Sequence, residues 1–337
     1  MKVWTTLGDG IKALDLKETA APAPPQAGEI LVKMTAVSLN YRDLLVVKGS
    51  GSWKPAEARI PVSDGVGEVV AVGDNVTRLK IGDRVAGIFL PRWLDGELTP
   101  EKFVLPLGGA AADGVLAELV VFDERSVVKI PSNLTDEEAA TLPCAAVTAW
   151  HAVTRRSRVK SGETVLIQGT GGVSLFALQF VHALGARPFV ISSSDEKLEK
   201  ARELGAAATV NYRKFPNWDE KILELSNGEG VAHVIEVVGG ENLNLSLNAV
   251  ALSGTISFIG LLAGLSAPIN TWQFVAKNVK IHGIETGSRE MFEEMNAFIE
   301  QHRIKPVIDK IFEFTAVKDA LRYLESSSHF GKIVIKI

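Results

Sequence analysis

The stretch V-L-I-Q-G-T-G-G-V-S-L-F-A-L-Q at 165–179 constrains this chain more than any other. An apolar run ends at Gln168, glycines follow at 169, 171 and 172, and a helical pattern begins near Val173. Strand, tight turn and helix in that order is the context a dinucleotide-binding fingerprint requires. Gly169 turns the chain sharply, and Gly171 lets the backbone approach a pyrophosphate. The helix N-terminus offers free N–H groups and a positive dipole end. Ser174 stands where the usual spacing has its third glycine, and it is small enough for close helix–strand packing. Gly169, Thr170, Gly171, Gly172 and Val173 are therefore candidate cofactor-binding residues.

What surrounds the turn decides the fold. From Thr164 onward strand-like runs at 164–168, 188–192, 209–211, 231–238, 255–259 and 280–284 alternate with amphipathic helical segments. Buried strands separated by helices imply a parallel sheet with right-handed crossovers, a doubly wound α/β domain. The first 120 or so residues differ. Short runs at 29–37, 65–72, 84–88 and 115–121 are punctuated by Gly73-Asp74 and Gly82-Asp83, which predicts a β-rich module. A poorly patterned insertion fills 90–112, and a capping box at Thr135–Glu138 opens a helical stretch interrupted by Pro143. The alternating segment 331–337 reads as a strand returning to the β-rich module. The expected division is 1–125 joined by 301–337, and 126–300.

With 337 residues, two domains are the natural expectation. A net charge of −4 argues against a nucleic-acid partner. The apolar run 256–269 is broken by Gly260, Gly264 and Pro268 and is too short to span a bilayer. No secretory signal is visible near Met1, and the single cysteine, Cys144, excludes an internal disulfide and a Cys-rich zinc lobe. A cytoplasmic location is expected.

Further cofactor candidates lie at strand ends. Sites specific for NAD place an acidic residue after the second strand, to accept from the ribose 2′-hydroxyl. Here that position is Ser192-Ser193, with Lys197 beyond. Small hydroxyls and a lysine suit a 2′-phosphate, so NADP(H) is expected over NAD(H). The competing reading is a capping box of Ser193 and Glu196 with a solvated Lys197. Tyr212 ends the third strand and is a candidate neighbour of the adenosine phosphate. Val238-Gly239 and Phe258-Ile259-Gly260 end the fourth and fifth, where a cofactor is expected in such sheets.

With both halves in view the chain resembles the medium-chain dehydrogenase/reductase superfamily. The residues that carry the resemblance are Gly65-Val-Gly-Glu68, Val72-Gly-Asp-Asn-Val76, Gly82-Asp-Arg-Val85, Leu142-Pro-Cys-Ala-Ala-Val-Thr-Ala-Trp150, Gly169-Thr-Gly-Gly-Val173 and Gly331-Lys-Ile-Val334. It implies an α/β fold, with a GroES-like β-rich catalytic domain and a Rossmann domain. Within the superfamily the chain looks like the zinc-independent, quinone oxidoreductase-like branch. Zinc-dependent members carry a cysteine ligand after the strand that ends here near Leu39, where this chain has Asn40-Tyr41. They carry Gly-His-Glu where it has Ser63-Asp64-Gly65. No histidine here has metal-ligand spacing to another, so no catalytic metal is expected.

Without a Lewis acid, hydrogen-bond donors must stabilise the charge that hydride transfer places on substrate oxygen. This favours quinones and enones, with reactive carbonyls as a further class. The resemblance places Asn40 and Tyr41 beside the nicotinamide. Asn40 is a candidate to polarise a carbonyl or hold the ribose, and Tyr41 to deliver a proton. Thr148 matches the family position whose hydroxyl lies near the nicotinamide. Asp64, Trp53 and Trp93 are candidate pocket residues, and Arg42 with Asp43 reads as a local ion pair or helix start. The resemblance further implies a homodimer through the edge strand 280–284. Two other readings stay open, a carbonyl-specific alcohol dehydrogenase and a nucleotide-binding redox sensor without turnover.

Overall fold

The computed structural model describes residues 1–337. It separates into two units, one of residues 1–147 and 286–337, the other of residues 148–285.

The first unit is built on one long strand, Glu29–Leu39. Its early half buries Ile30, Val32 and Met34 on one side, the alternation of a half-covered strand. Its later half, Ala36 through Leu39, is buried without a break. Along one edge it pairs antiparallel with Asp64–Val72, with register shifts at two points that bend the sheet. Along the other edge Leu119–Asp123 pairs with its first half and Lys332–Lys336 with its last. Arg84–Gly87 and Val127–Lys129 extend the sheet on one side, and Ile308–Glu313 extends it on the other, parallel to Lys332–Lys336.

The expected return of the C-terminal segment is present, with Ile333 opposite Leu39. The strand expected at 115–121 lies at Leu119–Asp123 instead. Val115, Leu116 and Ala117 are fully buried, and only Ala117 makes a bridge, to Val3. A short buried apolar run carries no period that separates a strand from a packed loop. Ile308–Glu313 was not anticipated, because its outward-facing Asp309, Lys310 and Glu313 mask any apolar alternation.

The second unit is a six-stranded parallel sheet. Its spatial order is Ala208–Asn211, Arg187–Ser192, Thr164–Gln168, Val231–Glu236, Val250–Phe258, Lys280–Gly283. The chain starts in the middle, works to one edge, then returns to build the other half. That reversal creates a switch point between Thr164–Gln168 and Val231–Glu236, the place where open α/β sheets bind ligands. The helix Gly172–Ala183 buries Leu175, Phe176, Leu178, Phe180 and Val181, an almost wholly apolar element packed on the sheet. No helix of the chain is long and apolar enough to cross a membrane.

The units divide later and rejoin earlier than the expected 125/126 and 300/301. Val127–Lys129 is a strand of the first sheet, and the Cys144 N–H donates to Asp64 within the first unit. Helix Arg289–His302 is tied to the same unit, where Asn296 donates to the Lys129 carbonyl and Arg289 to that of Arg125.

Candidate active site

Asn40 is the single residue between strand Glu29–Leu39 and helix Tyr41–Lys48. Asp43 holds the helix start by accepting the Asn40 backbone N–H at 2.8 Å, and Gly49 ends the helix in a left-handed conformation at φ 65°. The Asn40 side chain is held from the return strand. Because Ile333 lies opposite Leu39, Lys332 arrives beside Asn40, buried to 3% exposure. Its ammonium donates to the Leu39 carbonyl at 2.7 Å and to Asn40 Oδ1 at 2.5 Å. The Asn40 Nδ2 group faces Ser63 Oγ at 3.4 Å, and Ser63 donates to Asp64 Oδ1 at 2.7 Å. Asp64 Oδ2 accepts the Cys144 N–H at 3.1 Å and lies 3.9 Å from the Lys332 ammonium, which closes a ring.

A second buried ion pair adjoins it. Arg42 donates to Asp43 Oδ1 at 3.2 Å and to the Leu107 carbonyl at 2.8 Å. Its guanidinium lies 4.8 Å from the centre of the Phe89 ring and 5.6 Å from that of Trp53. The 90–112 insertion is thus pinned to this cluster through Leu107. Burial pushes the Asp43 carboxyl up to about 6; Arg42 opposes that, Asp64 adds to it, and the Asn40 N–H and Lys332 oppose it. Burial, then Asp64, raises the Cys144 thiol well above its ordinary range, which withholds the thiolate a nucleophile needs.

Two pocket expectations change here. Trp93 is 1% exposed and donates its indole N–H to the Gly96 carbonyl, so it is core and lines no pocket. Asp64 is fully buried and forms the floor of the ring rather than a wall open to substrate. Trp53 is half-buried beside Arg42. Tyr41, by contrast, is 46% exposed at the first turn of its helix.

In the second unit the expected glycine turn has the required shape. Gly169 adopts φ +73°, which glycine permits at no steric cost, and its N–H bonds the Ile191 carbonyl at 2.7 Å. Ser174 donates back to the Gln168 carbonyl at 2.7 Å, so the third-glycine position ties helix to strand. Gly171 caps the helix in an extended conformation, and a Cβ there would meet nothing within 4 Å. Gly169, Gly171, Gly172 and Val173 are half-buried and Thr170 is buried.

At the second strand end Ser192 is buried, Ser193 and Lys197 are half-buried, and the helix cap is Ser194, which accepts the Lys197 N–H. The Ser193–Glu196 capping box is therefore replaced by a cap one residue later. Tyr212, exposed, bonds the Ser192 carbonyl through its backbone. Thr148 is buried in a short helix, Val147–Trp150.

The fourth and fifth strand ends meet through backbone. The N–H groups of Ile259 and Gly260 both bond the Glu236 carbonyl, and a Cβ at Gly260 would fall 1.5 Å from the Val237 carbonyl oxygen. Beneath them lies a residue the sequence reading passed over. Glu236 is fully buried and its carboxylate accepts from Gln168, Asn242, Ser246 and the N–H groups of Val238 and Gly239. It joins the end of the first strand to the loop after the fourth. The available signal was a charge closing an apolar run, V-A-H-V-I-E.

Comparison with known proteins agrees with this arrangement. Residues 26–132 match the alcohol dehydrogenase GroES-like domain, and residues 172–301 match a family described as zinc-binding dehydrogenase. A zinc-type alcohol dehydrogenase-like protein of Schizosaccharomyces pombe is 44% identical over 336 residues, covering 97% of this chain and 96% of its own.

The chain belongs to the medium-chain dehydrogenase/reductase superfamily.

It is accordingly an NAD(P)-dependent oxidoreductase by class. A 2-methylene-furan-3-one reductase of Solanum lycopersicum is 31% identical, covering 99% of this chain and 79% of its own. The crystal structure of an alcohol dehydrogenase-like protein from Sinorhizobium meliloti 1021 superposes with a TM-score of 0.93 at 40% identity, covering 100% and 98% of the two chains. An NAD-dependent alcohol dehydrogenase gives 0.90 at 29% identity with full coverage of both, and a mycobacterial protein complexed with NADPH gives 0.82 at 25%, again with full coverage.

The second family description names zinc. No group of three or more His, Cys, Asp or Glu is placed to hold a metal. The Asn40–Ser63–Asp64 cluster presents an amide, a hydroxyl and a carboxylate, and the cation it already surrounds is the Lys332 ammonium.

Proposed function

We propose that this protein is a metal-independent, NADP(H)-preferring oxidoreductase that reduces a quinone, an activated alkene such as an enone, or a reactive carbonyl. The observation that carries this reading is the ring around Asn40, which offers amide N–H groups backed by a buried ammonium. A nicotinamide cofactor held at the Gly169–Val173 turn would supply the hydride. Asn40 donates to the substrate oxygen on which charge develops, and Tyr41 or water returns the proton. Neutral donors stabilise an oxyanion less than a metal does, which selects substrates whose charge spreads over several atoms. The tomato relative named as a furanone reductase acts on such a conjugated substrate by its name.

Preference for NADP(H) rests on the second strand end. Ser192 and Ser193 stand where an acidic residue would accept from a ribose hydroxyl. The nearest carboxylate, Asp195, is engaged by Lys214 at 2.6 Å and Asn211 at 2.7 Å. Lys197, half-buried, and Arg213, exposed, follow the ends of the neighbouring second and third strands. The neighbour solved with NADPH supports this reading, and the NAD-dependent neighbour marks its rival. A Lys197→Ala variant is expected to lower the NADPH-to-NADH affinity ratio about tenfold, the scale of one lost charge-assisted contact. An unchanged ratio contradicts the assignment.

Association as a homodimer is part of the same proposal. Lys280–Gly283 is an edge strand, and in the same unit Leu252, Leu265, Trp272 and Val275 are 68–85% exposed. Sedimentation is expected to give a dimer, and Ile281→Pro a monomer; a monomeric native protein contradicts this.

The activity itself is tested by NADPH oxidation with a panel of quinones, enones and aldehydes. Turnover on an enone or quinone supports the reading. Tight nucleotide binding with no turnover on any class contradicts it and leaves a nucleotide-binding protein.

A further inference from the structure

We propose that Lys332 is a positioning residue that fixes Asn40 as a hydrogen-bond donor, and that Asn40 rather than Tyr41 stabilises the charge developing on the substrate oxygen. This rests on the oxidoreductase reading above and names the group that does its work.

The orientation of a side-chain amide is set by its partners. An ammonium has three donors and no acceptor, so the atom it faces at 2.5 Å must be the amide oxygen. The two Nδ2 protons then point away from Lys332. One is directed at Ser63 Oγ over a long 3.4 Å, and that hydroxyl is itself spent as a donor to Asp64. Asn40 is half-exposed, so its remaining N–H is within reach of a ligand. An ammonium drawing on the amide oxygen also polarises the N–H bonds, and hydrogen bonds in series strengthen one another.

The site spends two buried cations, Lys332 and Arg42, on two buried carboxylates, Asp64 and Asp43. The local charge is thereby balanced, and what the cluster presents outward is a preset dipole. Tyr41 has none of this preorganisation. It is 46% exposed and stands outside the ring of hydrogen bonds, where water weakens any stabilisation its hydroxyl offers.

The test compares Lys332→Met, Lys332→Arg, Asn40→Asp and Tyr41→Phe in the full-length protein. Each is measured for kcat with an enone, NADPH affinity without substrate, and exchange of the Asn40 side-chain amide protons by NMR. Asn40→Asp keeps an oxygen for Lys332 and removes the donor, so kcat is expected to fall about 100-fold, the scale of one lost oxyanion donor. Lys332→Met is expected to cost about 10- to 100-fold in kcat, with NADPH affinity within about twofold. Lys332→Arg restores most of the activity, and Tyr41→Phe loses less than Asn40→Asp, because it removes only a proton donor that water can replace.

Native kcat in Lys332→Met or Asn40→Asp overturns the proposal, as does a loss in Tyr41→Phe larger than that in Asn40→Asp. If Lys332→Met fails to fold, Lys332→Arg and Asn40→Asp still decide. The amide readout separates this proposal from the parent one. Faster exchange in the Lys332 variant supports positioning, and unchanged exchange overturns it, even if no substrate in the panel is turned over.

Discussion

Each unit of this protein buries carboxylate at the place where chemistry is expected, and the two solve the problem differently. In the first unit Asp64 and Asp43 are balanced by the cations Lys332 and Arg42. In the second, Glu236 is surrounded by neutral donors, two of them backbone N–H groups. A charge-paired cluster leaves the surrounding dipoles free to be aimed, which suits a site that must meet developing charge. A carboxylate saturated by neutral donors has every lone pair committed, and it serves to lock strand ends together. On the proposed function, the first cluster meets the substrate and the second shapes the loop that faces the cofactor.

The largest expected effect breaks the first cluster. Removing the Lys332 ammonium strands a buried carboxylate, a change of about 3–5 kcal/mol in a buried ion pair. Urea unfolding of Lys332→Met should show a loss of this order, and the double variant Lys332→Met/Asp64→Asn should recover most of it. A double variant no more stable than the single one would mean that Lys332 and Asp64 are not coupled.

Asp43 provides a pH-dependent version of the same test. Its folded-state pKa of about 6 lies above the ordinary 3.8. The folded state therefore holds this proton more tightly than the unfolded chain does. Its contribution is fully present below about pH 3.8 and is lost as pH rises through about 6. The full change is at most about 3 kcal/mol, taking 1.36 kcal/mol per unit. Relative to the native protein, Asp43→Asn should gain stability as pH rises from about 4 to about 6, measured by urea unfolding at each pH. A difference that is flat across that range contradicts the assignment.

Two smaller effects probe the second unit. Glu236→Gln exchanges an all-acceptor carboxylate for a group with one acceptor and two donors, facing donors already in place. A loss of about 1–3 kcal/mol is expected, with weaker NADPH binding, because the Val238-Gly239 loop loses its anchor. Loss of stability with native affinity would detach Glu236 from cofactor shaping. Gly171→Ala should leave stability unchanged, since φ is −82° and the added methyl meets no protein atom. The methyl instead occupies the approach of the pyrophosphate, and NADPH affinity should drop about tenfold or more. Native affinity in this variant would remove the glycine turn from the cofactor site.

What was legible in the sequence follows from how local each determinant is. The strand ending at Gln168 and the turn after it were readable to the residue, because glycine spacing marks them directly. The parallel sheet was readable from alternating runs. The roles of Lys332 and Glu236 were not. In G-K-I-V-I-K-I, Lys332 and Lys336 share a face by parity, yet Lys332 is 3% exposed and the Lys336 side chain 60%. Only the pairing of Ile333 with Leu39, residues almost a chain length apart, distinguishes them. Trp93 fails for a related reason. A large aromatic in a loop reads equally as pocket or core until its indole N–H finds a partner, here the Gly96 carbonyl.

The central claim is that an amide held by an internal ammonium does the work of a metal in this protein. The most direct measurement is steady-state enone or quinone reduction with NADPH after exhaustive chelation, with the metal content of the same sample determined. The account predicts undiminished turnover at a zinc content far below one ion per chain. Activity that disappears on chelation and returns on adding zinc would contradict it.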